Sequence, residues 1–191
     1  MTTIGFAICG SYCTFKTVFN EIENLKKAGH NIIPIMSENA YSLDTRFGDA
    51  VYWQRRFKEI TDNQIIHTIP QAEPIGPKKL LDALIIAPCT GNTLAKLATG
   101  VTDTAVTLAA KAHLRNGRPL IIAPSTNDAL ANAAKNIGAL LNYKNLYFVP
   151  FGEDNYENKP TSMVADFSQI ESTLEMALNG KQIQPIIIEP K

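Results

Sequence analysis

The sequence predicts an α/β fold: a three-layer, doubly wound parallel sheet of the flavodoxin-like or Rossmann-like kind. Three observations point to it. Short apolar runs rich in β-formers alternate with amphipathic stretches along the whole of its 191 residues, the pattern of parallel strands covered on both faces by helices. The apolar runs end in Gly, Ser, Thr and Asn, while several amphipathic stretches close on Gly, which is how helices stop. No repeat, low-complexity segment or linker interrupts this alternation, so one domain is expected over 1–191, with a C-terminal tail at about 181–191.

The elements follow in order. Thr3–Cys9 reads as a strand ending at Gly10-Ser11, and the next stretch carries Phe15, Val18, Phe19, Ile22 and Leu25 at helical spacing up to Gly29. His30–Met36 is a second strand ending at Ser37-Glu38-Asn39, and Asp49–Ile60 is helical. Ile65–Ile69 fits a short third strand, and Pro70–Lys79 is a loop with three prolines. Leu84–Ala87 is the next strand, followed by a short helix over Asn92–Thr99. An Ala-rich helix over Asp103–Asn116 follows, with Asp103 as its cap and Gly117 as its stop. Pro119–Ala123 is a strand ending at Pro124-Ser125-Thr126-Asn127, and Asp128–Leu141 is helical. Leu146–Pro150 is a strand, Phe151–Ser162 a polar loop and Val164–Leu178 a final helix closed by Gly180. The tail has one apolar triplet, Ile186–Ile188, able to add a strand or a contact.

Bulk properties exclude several classes. Eighteen basic residues balance eighteen acidic ones, which leaves neither a nucleic-acid footprint nor a polybasic membrane anchor. A net charge of zero puts little repulsion between copies and permits self-association. Three cysteines, Cys9, Cys13 and Cys89, make an odd count with no Cys/His cluster at zinc spacing, so no metal site is expected and a reducing compartment fits. Neither a signal peptide nor a membrane-length apolar run is visible, and a cytoplasmic protein is expected.

The chemistry sits at strand ends. In open parallel sheets, ligands bind outside the carboxyl ends of the strands. Four such ends carry Gly10-Ser11, Ser37, Cys89-Thr90-Gly91-Asn92-Thr93 and Ser125-Thr126-Asn127, with no Lys or Arg among them. Such residues cap helices and make tight turns in any protein. Four on one edge point further, to a phosphate held by neutral donors and helix dipoles, with a flat polar ring against the apolar strand ends. The first turn lacks the G-x-G-x-x-G fingerprint, which argues against a dinucleotide there.

The stretch from Pro88 to Asp103 supplies the most specific signal. Pro88-x-Thr90-Gly91-Asn92-Thr93-x-x-Lys96-x-Ala98-x-Gly100-x-x-Asp103 resembles the P-x-S-A-N-T-x-x-K-x-A-x-G-x-x-D signature of the flavin-containing cysteine decarboxylase superfamily. That superfamily includes phosphopantothenoylcysteine decarboxylase, the lantibiotic decarboxylases and the flavin prenyltransferases. The resemblance implies FMN as cofactor, with Gly10, Ser11, Ser37, Pro88, Thr90, Asn92, Thr93, Ser125 and Thr126 around it. It also implies a homo-oligomer, a trimer or a dodecamer of trimers.

Departures from the family pattern narrow the activity. Where the decarboxylases carry a catalytic His, alignment on Asp82 places Pro74; His67 is the nearest alternative, several residues too early. Of the substrate-gripping P-x-M-N-x-x-M-W motif only Pro124 and Asn127 remain, and the one tryptophan, Trp53, lies elsewhere. TTIGFAICGSYCTF, IPIMSENA, the block from Ala72 to Leu130 and YFVPFGEDN resemble one branch of the superfamily. In that branch the flavoprotein-like chain acts in the mother cell of sporulating bacteria. Its partner looks like a nicotinamide-dinucleotide enzyme and brings NADP, and together they oxidise a small dihydro-dicarboxylate. The competing expectations are a cysteine decarboxylase, a flavin prenyltransferase, and a non-catalytic regulatory subunit.

Individual residues carry two readings each. Cys89 either faces the ligand or packs as a small hydrophobe, and Cys13 is either an activated thiol at a helix start or a packed one. Lys96 either reaches a partner or is a solvated stem. His67 is the histidine to test and His113 reads as structural. Lys78, Lys79, Arg46, Arg55 and Arg56 are the candidates to meet a dicarboxylate.

Overall fold

In the computed structural model, which describes residues 1–189, five parallel strands run in the order 2-1-3-4-5. They are β1 (Thr3–Ile8), β2 (Asn31–Met36), β3 (Ala83–Cys89), β4 (Leu120–Thr126) and β5 (Leu146–Phe148). Every residue of β3 is buried, because it pairs with β1 through Ile4↔Ala83 and with β4 through Leu84↔Leu120. A central strand covered on both faces has no polar side to show, hence the unbroken ALIIA run. This strand order is the flavodoxin-like one, whose crevice opens where the winding reverses, between β1 and β3.

Helices α1 (Phe15–Lys27), α3 (Ala50–Thr61) and α8 (Ile170–Leu178) pack together on one face. On the other lie α4 (Ile69–Ala72), α5 (Gly91–Thr99), α6 (Ala105–Arg115) and α7 (Ala134–Leu140). A short α2 (Glu38–Ser42) follows β2. The stripe of α1 buries Phe15, Val18, Phe19, Ile22 and Leu25. Trp53 completes it from α3, with ring centroids 5.4 Å from Phe15 and 4.9 Å from Phe19. Aromatic pairs at these distances add attraction beyond the area they bury.

The main departure from expectation is at the carboxyl edge. Phe151–Ser162 is not a loop, and the final helix does not begin at Val164. The chain forms an antiparallel hairpin of β6 (Phe151–Asn155) and β7 (Lys159–Ala165), so the seven-stranded sheet is mixed. β4 is long enough to hold two neighbours: its first half pairs with β5, and its end pairs with β7 through Ser125↔Val164 and Thr126↔Met163. The hairpin reads as a polar loop because it projects past the core, where only Met163, Ser162 and Ala165 of β7 are buried. The tail adds a contact to it: Phe151 N donates to Ile186 O at 2.9 Å and Ile188 N to Phe151 O at 3.1 Å.

Smaller corrections have local causes. Ile65–Ile69 contributes only one bridge, Ile35↔Ile66, before α4 begins with Pro70 inside its first turn. The Pro-rich stretch is ordered into α4 and a 3-10 turn at Glu73–Ile75. Asp103 does not cap α6. Thr104 does, its Oγ1 accepting from Thr107 N at 3.1 Å while Thr107 Oγ1 accepts from Thr104 N at 3.2 Å. Residues 128–133 are turns, and the helix there starts only at Ala134. Among the described residues, no helix is long and apolar enough to cross a membrane.

Candidate functional site

The four small-polar strand ends meet on one edge. Ser11, after β1, and Ser125, in β4, share a hydrogen bond of 2.8 Å between their hydroxyls, reaching across the end of β3. Thr90 caps α5, its Oγ1 accepting from Thr93 N at 3.3 Å, and Thr93 Oγ1 donates to Cys9 Sγ at 3.3 Å. Ser37 caps α2, its Oγ accepting from Ala40 N at 3.3 Å. A recess of about 320 Å³ lies among Gly10, Ser37, Asn39, Thr90, Asn92 and Thr93, with Cys9, Glu38, Lys96 and Thr104 at its borders. The Gly91 and Asn92 amides head the nine-residue α5, where no intrahelical carbonyl is available to them.

Gly10 and Thr90 also line a larger cavity of about 700 Å³. Its walls are Ser11, Tyr12, Cys13, Phe47, Gly91, Ser125–Asp128 and, from the hairpin, Asp154, Lys159, Ser162, Met163 and Val164. Gly91 is required there, because a Cβ would sit 2.7 Å from Thr126 Oγ1 and 2.8 Å from Asp128 Oδ1. Those two atoms are themselves hydrogen-bonded. Asn127 ties the loop to the hairpin: its carbonyl accepts from Thr161 Oγ1 at 2.6 Å and its Oδ1 from Ser162 Oγ at 3.4 Å.

The smaller recess has no unpaired cation, and one carboxylate, Glu38, stands at its border. Its one cation, Lys96, is held by both oxygens of Asp103 at 2.8 and 2.9 Å, which lowers the Asp103 pKa. Burial pushes the Cys9 thiol up to about 11 and the Cys89 thiol well above its ordinary value, with the neighbouring Cys9 adding to the latter. Both stay protonated and neutral. The remaining donors are hydroxyls, amides and first-turn N–H groups, the set that binds a phosphate through neutral hydrogen bonds and a helix dipole. The larger cavity, with Tyr12, Phe47, Met163 and Val164 in its walls, has room for a flat ring. The residues present therefore fit a ligand with a phosphate at one end and a planar heterocycle at the other.

Several candidates sit elsewhere than the sequence suggests. Cys89 and Pro88 lie beneath the two cavities rather than in their walls; Cys89 is fully buried and Pro88 O accepts from Cys9 N at 3.3 Å. His67 comes closer than its position in the chain implies. It stacks on Tyr41 with centroids 3.7 Å apart and lines a third recess of about 500 Å³. That recess shares Glu38 and Thr104 with the small-polar one. Pro74 lies in the 3-10 turn packed on α6. Lys79 is at the opposite edge of the sheet, ahead of β3, where its carbonyl accepts from Arg118 at 3.1 Å. Lys78 adjoins it there. Arg46 sits 4.8 Å over the Phe47 ring, Arg55 points to solvent, and Arg56 pairs with Glu23 at 2.9 Å. The hairpin residues were missed because polar edge strands with one buried face carry little periodic signal. Tyr12 and Phe47 were missed because nothing local distinguishes them from core aromatics.

Comparison with known proteins bears on this edge. The Flavoprotein family model matches residues 1–176. The B subunit of dipicolinate synthase from Bacillus subtilis (strain 168) is 44% identical over 186 residues, covering 97% of this chain and 93% of the relative. The crystal structure of the corresponding B subunit from Bacillus halodurans C superposes with a TM-score of 0.92 at 42% identity, covering 100% of this chain and 97% of that one. Burkholderia xenovorans DmrB in complex with FMN, described as a cubic protein cage for redox transfer, shares the fold at a TM-score of 0.70 and 16% identity. That match covers 93% of this chain and 96% of DmrB.

Proposed function

Because this chain belongs to the Flavoprotein family, we propose that it is the FMN-binding B subunit of a dipicolinate synthase. In this reading it acts with the A subunit of that enzyme to convert dihydrodipicolinate to dipicolinate in the cytoplasm of a sporulating mother cell. The observation that carries the reading is the convergence of Gly10, Ser37, Thr90, Asn92 and Thr93 on one neutral-donor recess that opens into a ring-sized cavity. The 44% identity to a dipicolinate synthase chain supports the choice of reaction. Decarboxylase chemistry is the weaker reading, since Pro74 stands where that machinery needs a His, and Thr126 and Leu130-Ala131 stand at the Met and Met-Trp positions of its substrate-gripping motif.

Aromatising the dihydropyridine ring removes two electrons and two protons. One proton leaves with the electron pair and the other goes to a base. When bound, a flavin would supply the electron acceptor, and NADP on the partner would be the onward acceptor. Thr90, Asn92, Thr93 and Ser37 would hold the phosphate, while Ser11 and Ser125 border the ring cavity and would orient what lies in it. His67, stacked flat on Tyr41, lines a recess that adjoins the phosphate end and shares no wall with the ring cavity, so it stands away from the reacting ring. The protein works as a homo-oligomer, a trimer or a dodecamer, using exposed apolar residues such as Leu43 and Val51.

Titrating the purified protein with FMN, followed in the visible spectrum, tests the cofactor. Saturable binding is expected, and a flat titration sinks the flavin assignment. Dipicolinate formation by the partner enzyme without this chain, then with it added, tests the role. Rates independent of this chain would make it a regulatory subunit. His67→Asn is expected to change turnover by less than about threefold; a loss of about a hundredfold, the scale of one general base, would put His67 at the reacting ring after all.

A further inference from the structure

The main cavity does not end at the ring-sized space. Tyr12, Cys13 and Phe47 belong both to it and to a further recess of about 370 Å³. The added walls of that recess are Lys16, Tyr52, Trp53 and Arg56, from α1 and α3. Its chemistry differs from that of the phosphate recess. It has two cations and four aromatic rings.

The cations are not equivalent to the others near the site. Lys96 is paired with Asp103, Lys159 with Asp154 at 3.1 Å and Arg56 with Glu23 at 2.9 Å. Among the described residues, Lys16 is the one cation lining these cavities that has no carboxylate partner. It also stands in the first turn of α1, where no acidic residue balances it. A cation there opposes the helix dipole. The local rule is broken at a cavity wall, which is where functional residues break rules. Trp53 closes the inner wall of the recess: its indole is 5% exposed, with Nε1 packed toward Gly48, where a Cβ would sit 2.7 Å from it.

We propose that this recess is the subsite for a planar carboxylate, with Lys16 as its specificity-determining residue and the rings of Tyr12, Phe47, Tyr52 and Trp53 as its walls. Which carboxylate it meets rests on the dipicolinate synthase reading. Ring faces select a flat molecule, and the unpaired ammonium selects a negative charge. A pyridine dicarboxylate has both features, and the shared Tyr12, Cys13 and Phe47 place it beside the ring-sized cavity. Of the sequence's candidates for this part, Lys78, Lys79, Arg46, Arg55 and Arg56, only Arg56 lines the recess, and Lys16 joins it there.

Trp53 is the single tryptophan of the chain, so its fluorescence reports on this recess alone. The full-length protein, without FMN, is titrated with pyridine-2,6-dicarboxylate, exciting at the red edge of the indole band. A saturable change is expected, about tenfold weaker in Lys16→Gln, as for the loss of one charged contact in a half-open site. Lys16→Glu is expected to abolish it. Uncharged pyridine and the flexible dicarboxylate glutarate are expected to bind at least about tenfold more weakly. No indole response, equal affinity in Lys16→Gln, or equal affinity for glutarate overturns the proposal. Lys16 is exposed, so both variants keep the fold, and an unchanged FMN titration in each confirms it. That titration also separates the two readings: failure to bind FMN with an intact indole response sinks the flavin role and leaves the carboxylate recess standing.

Discussion

Asn92→Asp is expected to lower FMN affinity about a thousandfold while leaving the fold at least as stable. Asn92 is exposed at the second position of α5 and faces the small-polar recess. The change is isosteric and adds one negative charge. At about 4 Å and an effective dielectric near 20, that charge repels a phosphate by about 4 kcal/mol, which is about three powers of ten in affinity. For the helix the sign is opposite, because an acid in the first turn is favoured by the dipole by roughly 0.3–1 kcal/mol. The two readouts are an FMN titration and a thermal melt without FMN. Asn92→Ala, which removes a donor without adding charge, serves as the control and is expected to lose only about tenfold. If Asn92→Asp binds FMN as tightly as the parent, the phosphate does not lie at the head of α5. The Ser11–Ser125 pair then becomes its site.

The second large effect is on stability against acid. His113 is buried in α6 with its Nε2–H donating to Pro119 O at 3.0 Å. Burial lowers its pKa from 6.5 to about 4, against a smaller upward pull from that hydrogen bond. In the unfolded chain the imidazole takes its proton near 6.5, and in the folded one only near 4. Between these values the unfolded state binds more protons, so stability falls as pH falls. The contribution is whole above pH 6.5 and is lost progressively down to about 4, a loss of about 3 kcal/mol. Urea unfolding at a series of pH values reads this directly. His113→Gln keeps a donor within reach of Pro119 O and removes the titration. Its unfolding free energy is expected to start lower and to vary less with pH across that window. Parallel slopes for the two proteins would mean that other groups carry the acid sensitivity.

How much of this was legible beforehand varies by element. The five parallel strands and α1, α3, α5 and α6 stand within three residues of where periodicity and capping put them, with β4 running furthest beyond, to Thr126, because burial on a sheet face imposes a pattern that sequence alone displays. The small-polar strand ends were legible for the same reason, since the strands that carry them had been placed. The β6–β7 hairpin was not. Its residues alternate between cavity, solvent and a narrow contact with β4, and no local period marks such a strand. Asp103 and Thr104 are adjacent, and both are residues that cap helices. Only Lys96, on α5, takes Asp103 for an ion pair and leaves the cap to Thr104.

The chain by itself determined the α/β class, the edge of the sheet where the small-polar strand ends gather, and the neutral character of their donors. These depend on local periods and on residue types at strand ends, where neighbours in sequence are neighbours in space. Tertiary structure alone decided which charged and aromatic groups face the cavities. It stacked His67 on Tyr41, sent Lys79 to the far edge and joined Lys16 to Arg56 across α1 and α3. Those contacts join residues dozens of positions apart, and their geometry is set by how helices seat on the sheet, which no window of sequence encodes.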